Sequence, residues 1–293
     1  MEDEKAWAVT TYGNGWMHRH LIQLLRWVDV RILYIVAYVF VVPVCLVLNP
    51  SRRTAYRYFH EMLGLGCLRS MWLTYVNHCR FAEVVIDKFA MYADRRFQVE
   101  IENFEAFDAL ASGDEGFVIL SSHIGNYEIA GYTLVSDKKR INAVVYGGEK
   151  ASVMMNRMRM FTRTNIRMIL MREDMGHLFE IDSALSSGEI VSFPTDRVHG
   201  SSKVIAHAFL GGNARFPQGP FSVASMRDVE VLAVNVMKEG WTKYRIYVTP
   251  LHYDHTAPRK QQIAQLSDAY VNELELRVRQ YPTQWYNFFD FWQ

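Results

Sequence analysis

Cysteine is scarce in this 293-residue chain, which has three: Cys45, Cys67 and Cys79. Their spacings match no zinc pattern and no C-x-x-C is present, so an odd, sparse set of thiols points to a reducing compartment rather than a disulfide framework. Net charge is scarce as well. With 32 basic against 31 acidic residues the formal charge is +1, which lacks the basic excess of a protein that binds nucleic acid by neutralising phosphates. No H-E-x-x-H occurs, and His199 and His207 are spaced too irregularly for a metal site. The G-x-S-x-G turn of a serine hydrolase is missing, and Ser121-Ser122 lack its pattern. There is no internal repeat and no low-complexity stretch.

What is present is apolar and aromatic. Half the residues are apolar and 14% are aromatic, enough to bury the core of one large domain or two small ones. One run stands apart. Residues 32–48 read ILYIVAYVFVVPVCLVL without a charge, close to the lower limit for a helix crossing a hydrocarbon core about 30 Å thick. Pro43 interrupts the run. It starts too far from the N-terminus to be a signal peptide and lacks a small-residue cleavage site. Arg19, Arg26 and Arg31 precede it and Arg52, Arg53 and Arg57 follow it, so charge gives no orientation. Basic flanks and nearby Trp7, Trp16 and Trp27 suit a segment that lies in, or dips into, an anionic leaflet. A buried core helix is the other reading of the same run.

Residues 54–95 have helical spacing, with Gly64 and Gly66 separating two helices. Beyond them the texture alternates. Strands are expected at Phe97–Ile101, Phe117–Leu120, Ile141–Tyr146, Ile166–Met171, Ile190–Phe193, Val229–Val236 and Tyr244–Val248. Helices are expected at Phe104–Ala111, Asn126–Leu134, Ser152–Thr164, in the stretch ending near Leu185, and at Ala257–Tyr281. A polar loop is expected after Phe193. This alternation predicts an α/β fold, a mostly parallel central sheet flanked by helices, with an N-terminal membrane-associated helical segment. The division falls near residue 95: 1–95 helical, 96–293 α/β.

The sharpest local feature is Ser121-Ser122-His123-Ile124-Gly125-Asn126-Tyr127-Glu128. A buried strand ends, a histidine follows, Gly125 permits a tight turn, and a helix starts with Asn126 as a plausible N-cap. Ligands of open α/β sheets bind at the carboxyl ends of strands, where His123 is placed. Glu128 falls in the first helical turn, where the dipole favours its charge. If the turn folds His123 back over that helix, Glu128 accepts a hydrogen bond from one ring nitrogen and leaves the other as a base. Such a base suits removal of a proton from a hydroxyl or amine that attacks a thioester.

His123 to Glu128 resembles the H-x4-D/E signature of the lysophospholipid acyltransferase superfamily. Its H-x-G-N-aromatic-E form is similar to the bacterial late (lauroyl/myristoyl) acyltransferases of lipid A biosynthesis. Gly188-Glu189-Ile190-Val191-Ser192-Phe193-Pro194-Thr195-Asp196, with Gly200 after it, resembles that family's G-E-V-V-x-x-x-P-D block. Phe209-Leu210-Gly211-Gly212 with Gly219-Pro220 resembles F-F-G…T-G, and Tyr281-Pro282-Thr283-Gln284-Trp285 resembles P-x-Q-W. Thr195-Asp196-Arg197-Val198 stands where the family usually has Pro-Asp-Gln/His-Asp, and the final residues lack the family's basic pair. The resemblance implies an acyltransferase with His123 and Glu128 as catalytic pair, an acyl-carrier-protein or coenzyme A thioester as donor, and a membrane lipid as acceptor. It further implies a bacterial inner-membrane location at the cytoplasmic face, no cofactor, no metal and no nucleic acid; a monomer is expected. The acceptor stays open among a lipid A precursor, an aminolipid, a polyene and another glycolipid.

Further residues carry weaker expectations. Gly125 and Asn126 shape the turn that meets substrate. Asp196, after a buried strand and Pro194, lies at the sheet edge of His123 and orients the acceptor or Arg197. Arg157, Arg159 and Arg163 form a basic helix, followed by Arg167, suited to the phosphates of an acyl carrier or an anionic headgroup or to a solvated face; Arg163 matches an arginine of the family. Met154, Met155, Met158 and Met160 suit an acyl groove or plain packing. A membrane-associated lipid hydrolase and a non-catalytic membrane-anchored scaffold are the competing readings.

Overall fold

In the computed structural model, residues 15–145, 158, 164–172, 174–198 and 203–292 are described. The chain opens with helices. α1 (Gly15–Trp27) leads through Asp29, whose side chain accepts the Arg31 N–H, into the apolar helix α2. That helix is continuous over Val30–Leu48. It widens into a π-turn at Ala37–Val41 just before Pro43. The proline has no N–H to continue the α ladder, and the wider turn absorbs the break. Val42 N–H accordingly reaches back to the Ala37 carbonyl. The Tyr38 carbonyl, freed by that shift, accepts the Tyr75 hydroxyl at 3.0 Å. Helix α3 (Ser51–Arg57) runs on into a second π-turn at Tyr58–Met62. After the loop containing Gly64 and Gly66 comes α4 (Cys67–Tyr92), against which α1, α2 and α3 all pack.

The α/β layer begins with β1 (Gln98–Glu102) and α5 (Phe104–Ser112). It continues through β2 (Phe117–Gly125), β3 (Ile141–Val145), β4 (Ile166–Leu170), α6 (Gly176–Ser186) and β5 (Ile190–Pro194). A hairpin follows, β6 (Val204–Phe209) and β7 (Gly212–Pro217), then α7 (Gly219–Arg227). These three elements occupy the expected polar loop. The last elements are β8 (Val231–Lys238), β9 (Lys243–Pro250) and α8 (Arg259–Gln280). The seven-stranded sheet has the order β1-β9-β8-β2-β5-β3-β4. Every pairing in it is parallel except β8 with β9. The α/β architecture read from the alternating pattern is the one found.

Strand β2 sits at the centre and is apolar on both faces, as parallel strands covered by helices are. Val118 and Leu120 face one core, with Ile181, Leu266, Tyr270 and Leu274. Phe117 and Ile119 face the other, with Phe107, Ile129 and Tyr244. Tyr58 and Phe59 of the helical layer belong to the first core, so the two layers share packing. The C-terminus closes the hairpin: Trp292 Nε1 donates to the Phe209 carbonyl at 2.9 Å, and the Phe209 ring meets Trp285, Phe216 and Phe291.

Candidate active site

The parallel register builds the site. Ser121 of β2 lies beside Pro194 of β5, and the Thr195 N–H donates to the Ser121 carbonyl at 2.8 Å. Two residues further along each strand are His123 and Asp196. Sequence separation hides this neighbour relation; strand register creates it. On its other side β2 departs from the ladder. Ser121 pairs with Val234 and Gly125 with Val236, so four steps of β2 match two of β8. Such a bulge re-aims a side chain at the end of a strand, here that of His123.

Asp196 grips the histidine at two points. Its Oδ2 accepts the His123 backbone N–H at 2.8 Å and its Oδ1 accepts the ring Nδ1–H at 2.7 Å. A carboxylate accepting at Nδ1 fixes the tautomer and leaves the Nε2 lone pair as the base. Asp196 is buried while the His123 side chain is 22% exposed. Burial, the largest influence on Asp196, pushes its carboxyl up. The His123 charge, the two hydrogen bonds from His123 and the neighbouring Arg197 together outweigh it and hold Asp196 below the usual carboxylate value.

Glu128 is not the partner of the ring. Its Oε1 lies 2.7 Å from Lys88 Nζ on α4, and Tyr92 donates to Oε2 at 3.5 Å. The geometric reason is the shape of the turn. The expected helix from Asn126 is a single 3₁₀ turn, Tyr127–Ile129, followed by a short helix at Ala130–Thr133. That path buries Glu128 against α4 instead of beneath the imidazole. The ring of Tyr127 comes nearer to His123, at 5.5 Å between centroids.

Gly125 serves the backbone. Its φ is +60°, and a Cβ there would stand 1.8 Å from the Val236 carbonyl oxygen, so no other residue fits the turn. Asn126 makes no side-chain cap. Its N–H donates to the Val236 carbonyl at 2.9 Å and its Nδ2 to the Tyr244 hydroxyl at 3.3 Å. Arg197 donates to the Tyr286 carbonyl at 3.2 Å and stands 5.7 Å from the Phe289 ring centre. Burial pulls its guanidinium below the ordinary value. Arg163, with Arg157, Arg159, Met154, Met155 and Met160, lies outside the described residues, as do His199 and Gly200. His123 and Asp196 are thus brought together; Gly125 and Asn126 shape the turn, and Arg197 flanks it.

Several supporting residues carry no local motif. Tyr270 of α8 donates to the Ser121 carbonyl at 3.1 Å. Ser122 donates to Asn235 at 2.8 Å, Asn235 to Glu273 at 3.3 Å, and Arg277 to Glu273 at 2.7 Å. Gln284 clamps the Lys238 backbone from both sides, at 2.8 and 2.7 Å. Beside it Trp285 bridges Ile124, next to His123. The Tyr281–Trp285 block therefore braces the site from below.

The model of the family described as bacterial lipid A biosynthesis acyltransferase matches residues 80–293. No curated protein sequence matches the chain. Among solved structures the chain is similar to the crystal structure of the 1-acyl-sn-glycerophosphate acyltransferase PlsC from Thermotoga maritima. The identity is 15%, over 91% of this chain and 98% of that chain, with a TM-score of 0.38.

Proposed function

The chain belongs to the bacterial lipid A biosynthesis acyltransferase family, and from that membership we propose a specific reaction with His123 as general base. A fatty acyl group passes from the thioester of an acyl-carrier protein or coenzyme A to a hydroxyl or amine of a membrane lipid. His123 Nε2 takes the proton of the acceptor as its oxygen or nitrogen attacks the thioester carbonyl. The carbon–sulfur bond breaks, and the departing thiolate takes the proton back from the imidazolium. The observation that carries the reading is the two-point grip of Asp196 on His123. It orients the ring and opposes the positive charge that the ring acquires. Glu128, paired with Lys88, anchors the turn rather than the ring.

The helical layer suits an enzyme working on a bilayer. Helix α2 has 19 residues, about 28 Å at 1.5 Å per residue. Its exposed side includes Ile32, Ile35, Val39, Phe40, Val44, Val47 and Leu48. Its other side is bound to the protein through Tyr34 and Tyr38, which donate to Asp87 and Glu83. A helix tied at mid-length to the body of the protein is held in the interface rather than across the bilayer. Arg26, Arg31, Arg53 and Arg57 stand exposed at its two ends and favour an anionic leaflet. A thioester donor made in the cytoplasm would be met at the cytoplasmic face of the inner membrane, which is the location this reading assigns to the surface.

The test is thioester consumption and lipid acylation by the full chain, read by mass spectrometry with extracted lipids as acceptors. His123→Ala lowers turnover by about 10²- to 10⁴-fold, the usual worth of a positioned base. Asp196→Asn lowers turnover by about 10²- to 10⁴-fold as well, because the ring loses the partner that orients it and opposes its charge. Glu128→Gln costs far less. Near-normal activity in His123→Ala ends the reading; a loss in Glu128→Gln that matches the loss in Asp196→Asn transfers the partner role back to Glu128.

A further inference from the structure

Three charges lie sealed between the two layers and have no part in the reaction above. Glu83 and Asp87 stand one turn apart on α4, and Lys238 ends β8; their side chains are 0–2% exposed. Lys238 Nζ is 2.5 Å from Asp87 Oδ2 and 3.1 Å from Glu83 Oε2. A buried pair of this kind is often no more stabilising than apolar side chains of the same volume. Stability alone does not account for it.

What the cluster does is connect. Asp87 accepts from the Tyr34 hydroxyl, one turn into the apolar helix. It also accepts from the Tyr244 hydroxyl of β9. The Tyr244 oxygen in turn accepts from Asn126 Nδ2, three residues past His123. Lys238 ties the same knot, donating to the Tyr34 oxygen at 2.9 Å. Tyr34, Asp87, Tyr244 and Asn126 are all 2% exposed or less. A direct side-chain hydrogen-bonded path therefore runs from the apolar helix to the turn that carries His123, and Asn126 has its backbone fixed there by Val236.

We propose that Asp87 is a positioning residue for acyl transfer. Through Tyr244 and Asn126 it holds the His123 turn, and through Tyr34 it makes that hold depend on how helix Val30–Leu48 is seated. The proposal rests on the reading of His123 as the base. Asp87 touches no substrate; it acts through the turn.

Tyr34→Phe and Tyr244→Phe each delete one hydroxyl and keep the ring. With the full chain in lipid vesicles, two quantities are read: kcat and KM for a lauroyl thioester with extracted lipids, and amide hydrogen exchange over residues 122–129. Either variant lowers kcat about tenfold with the thioester KM unchanged, the size expected for one lost hydrogen bond to a charged group. Exchange over residues 122–129 quickens by a similar factor, although Tyr34 lies on a different layer. The double variant is little worse than Tyr244→Phe, because both hydroxyls serve one path. Unchanged exchange at 122–129 and unchanged kcat, with only a lowered melting temperature, overturn the proposal. So does faster exchange without loss of kcat, since the turn then moves without consequence. If Tyr244→Phe does not fold, Tyr34→Phe decides alone. His123→Ala separates the two readings. An active His123→Ala with exchange still responsive to Tyr34→Phe sinks the base and spares the coupling. An inactive one with unresponsive exchange sinks only the coupling.

Discussion

In the α/β layer the large side chains turn inward. Phe209, Phe216 and Phe221 are fully buried, and β2 and β8 are apolar on both faces. In the helical layer the arrangement is turned about. Trp27, Phe40, Leu48, Leu68 and Trp72 are more than 60% exposed, while Glu83 and Asp87 are sealed inside. Scattered exposed apolar residues are ordinary; here they recur on three helices, and under the proposed function they are the surface that meets lipid. One chain thus contains a layer with its large apolar side chains inside and a layer with many of them outside, and the turn that carries His123 is braced by both.

The comparison breaks most visibly on stability. Phe209→Ala empties a packed aromatic cluster and costs about 3–5 kcal/mol. Phe40→Ala, at 67% exposure, removes a ring of similar size and costs within about 0.5 kcal/mol. Denaturant unfolding of both variants in the same detergent checks the contrast. Equal losses would mean that the apolar helix is packed in solution against something other than lipid.

The second measurement sharpens the role of the exposed band. Phe40→Glu leaves the fold intact but places a charge where hydrocarbon is expected. It weakens binding to anionic vesicles by about 2.5 kcal/mol, roughly 60-fold. Sedimentation with vesicles reads it directly. Binding unchanged by the substitution would move the lipid contact elsewhere on the molecule.

These layers differ in how far local sequence reveals them. The apolar run 32–48, the strand before His123 and the glycine turn after it are all patterns of period or local chemistry, and each appears where expected. The partner of His123 is not local. Asp196 lies 73 residues away, and only the parallel pairing of Ser121 with Pro194 brings it close. Local reasoning instead favoured Glu128, five positions on, because a regular helix was expected where the chain makes a 3₁₀ turn. The hairpin at Val204–Phe209 and Gly212–Pro217 escaped because its second strand, Gly-Asn-Ala-Arg-Phe-Pro, has few apolar side chains and reads as loop. Glu83 and Asp87 did leave a trace: two acids share one face of a helix with a buried cysteine and asparagine. That pattern asks for a cation from elsewhere, and the residue ending the apolar run of β8, Lys238, supplies it.

The smallest effect is the response of Asp196 to acid. Asp196 has a folded-state value held below that of an unfolded aspartate. Its contribution is complete above the unfolded value, near pH 4, and is lost as pH falls through the lower folded value. Asp196→Asn has no such proton to bind. The stability difference between the native chain and this variant therefore shrinks as pH falls below about 4. Urea unfolding at stepped pH measures that difference. A gap that persists undiminished well below pH 4 would mean that the imidazole and its neighbours do not stabilise the charged carboxylate, and the two-point grip would lose its electrostatic part.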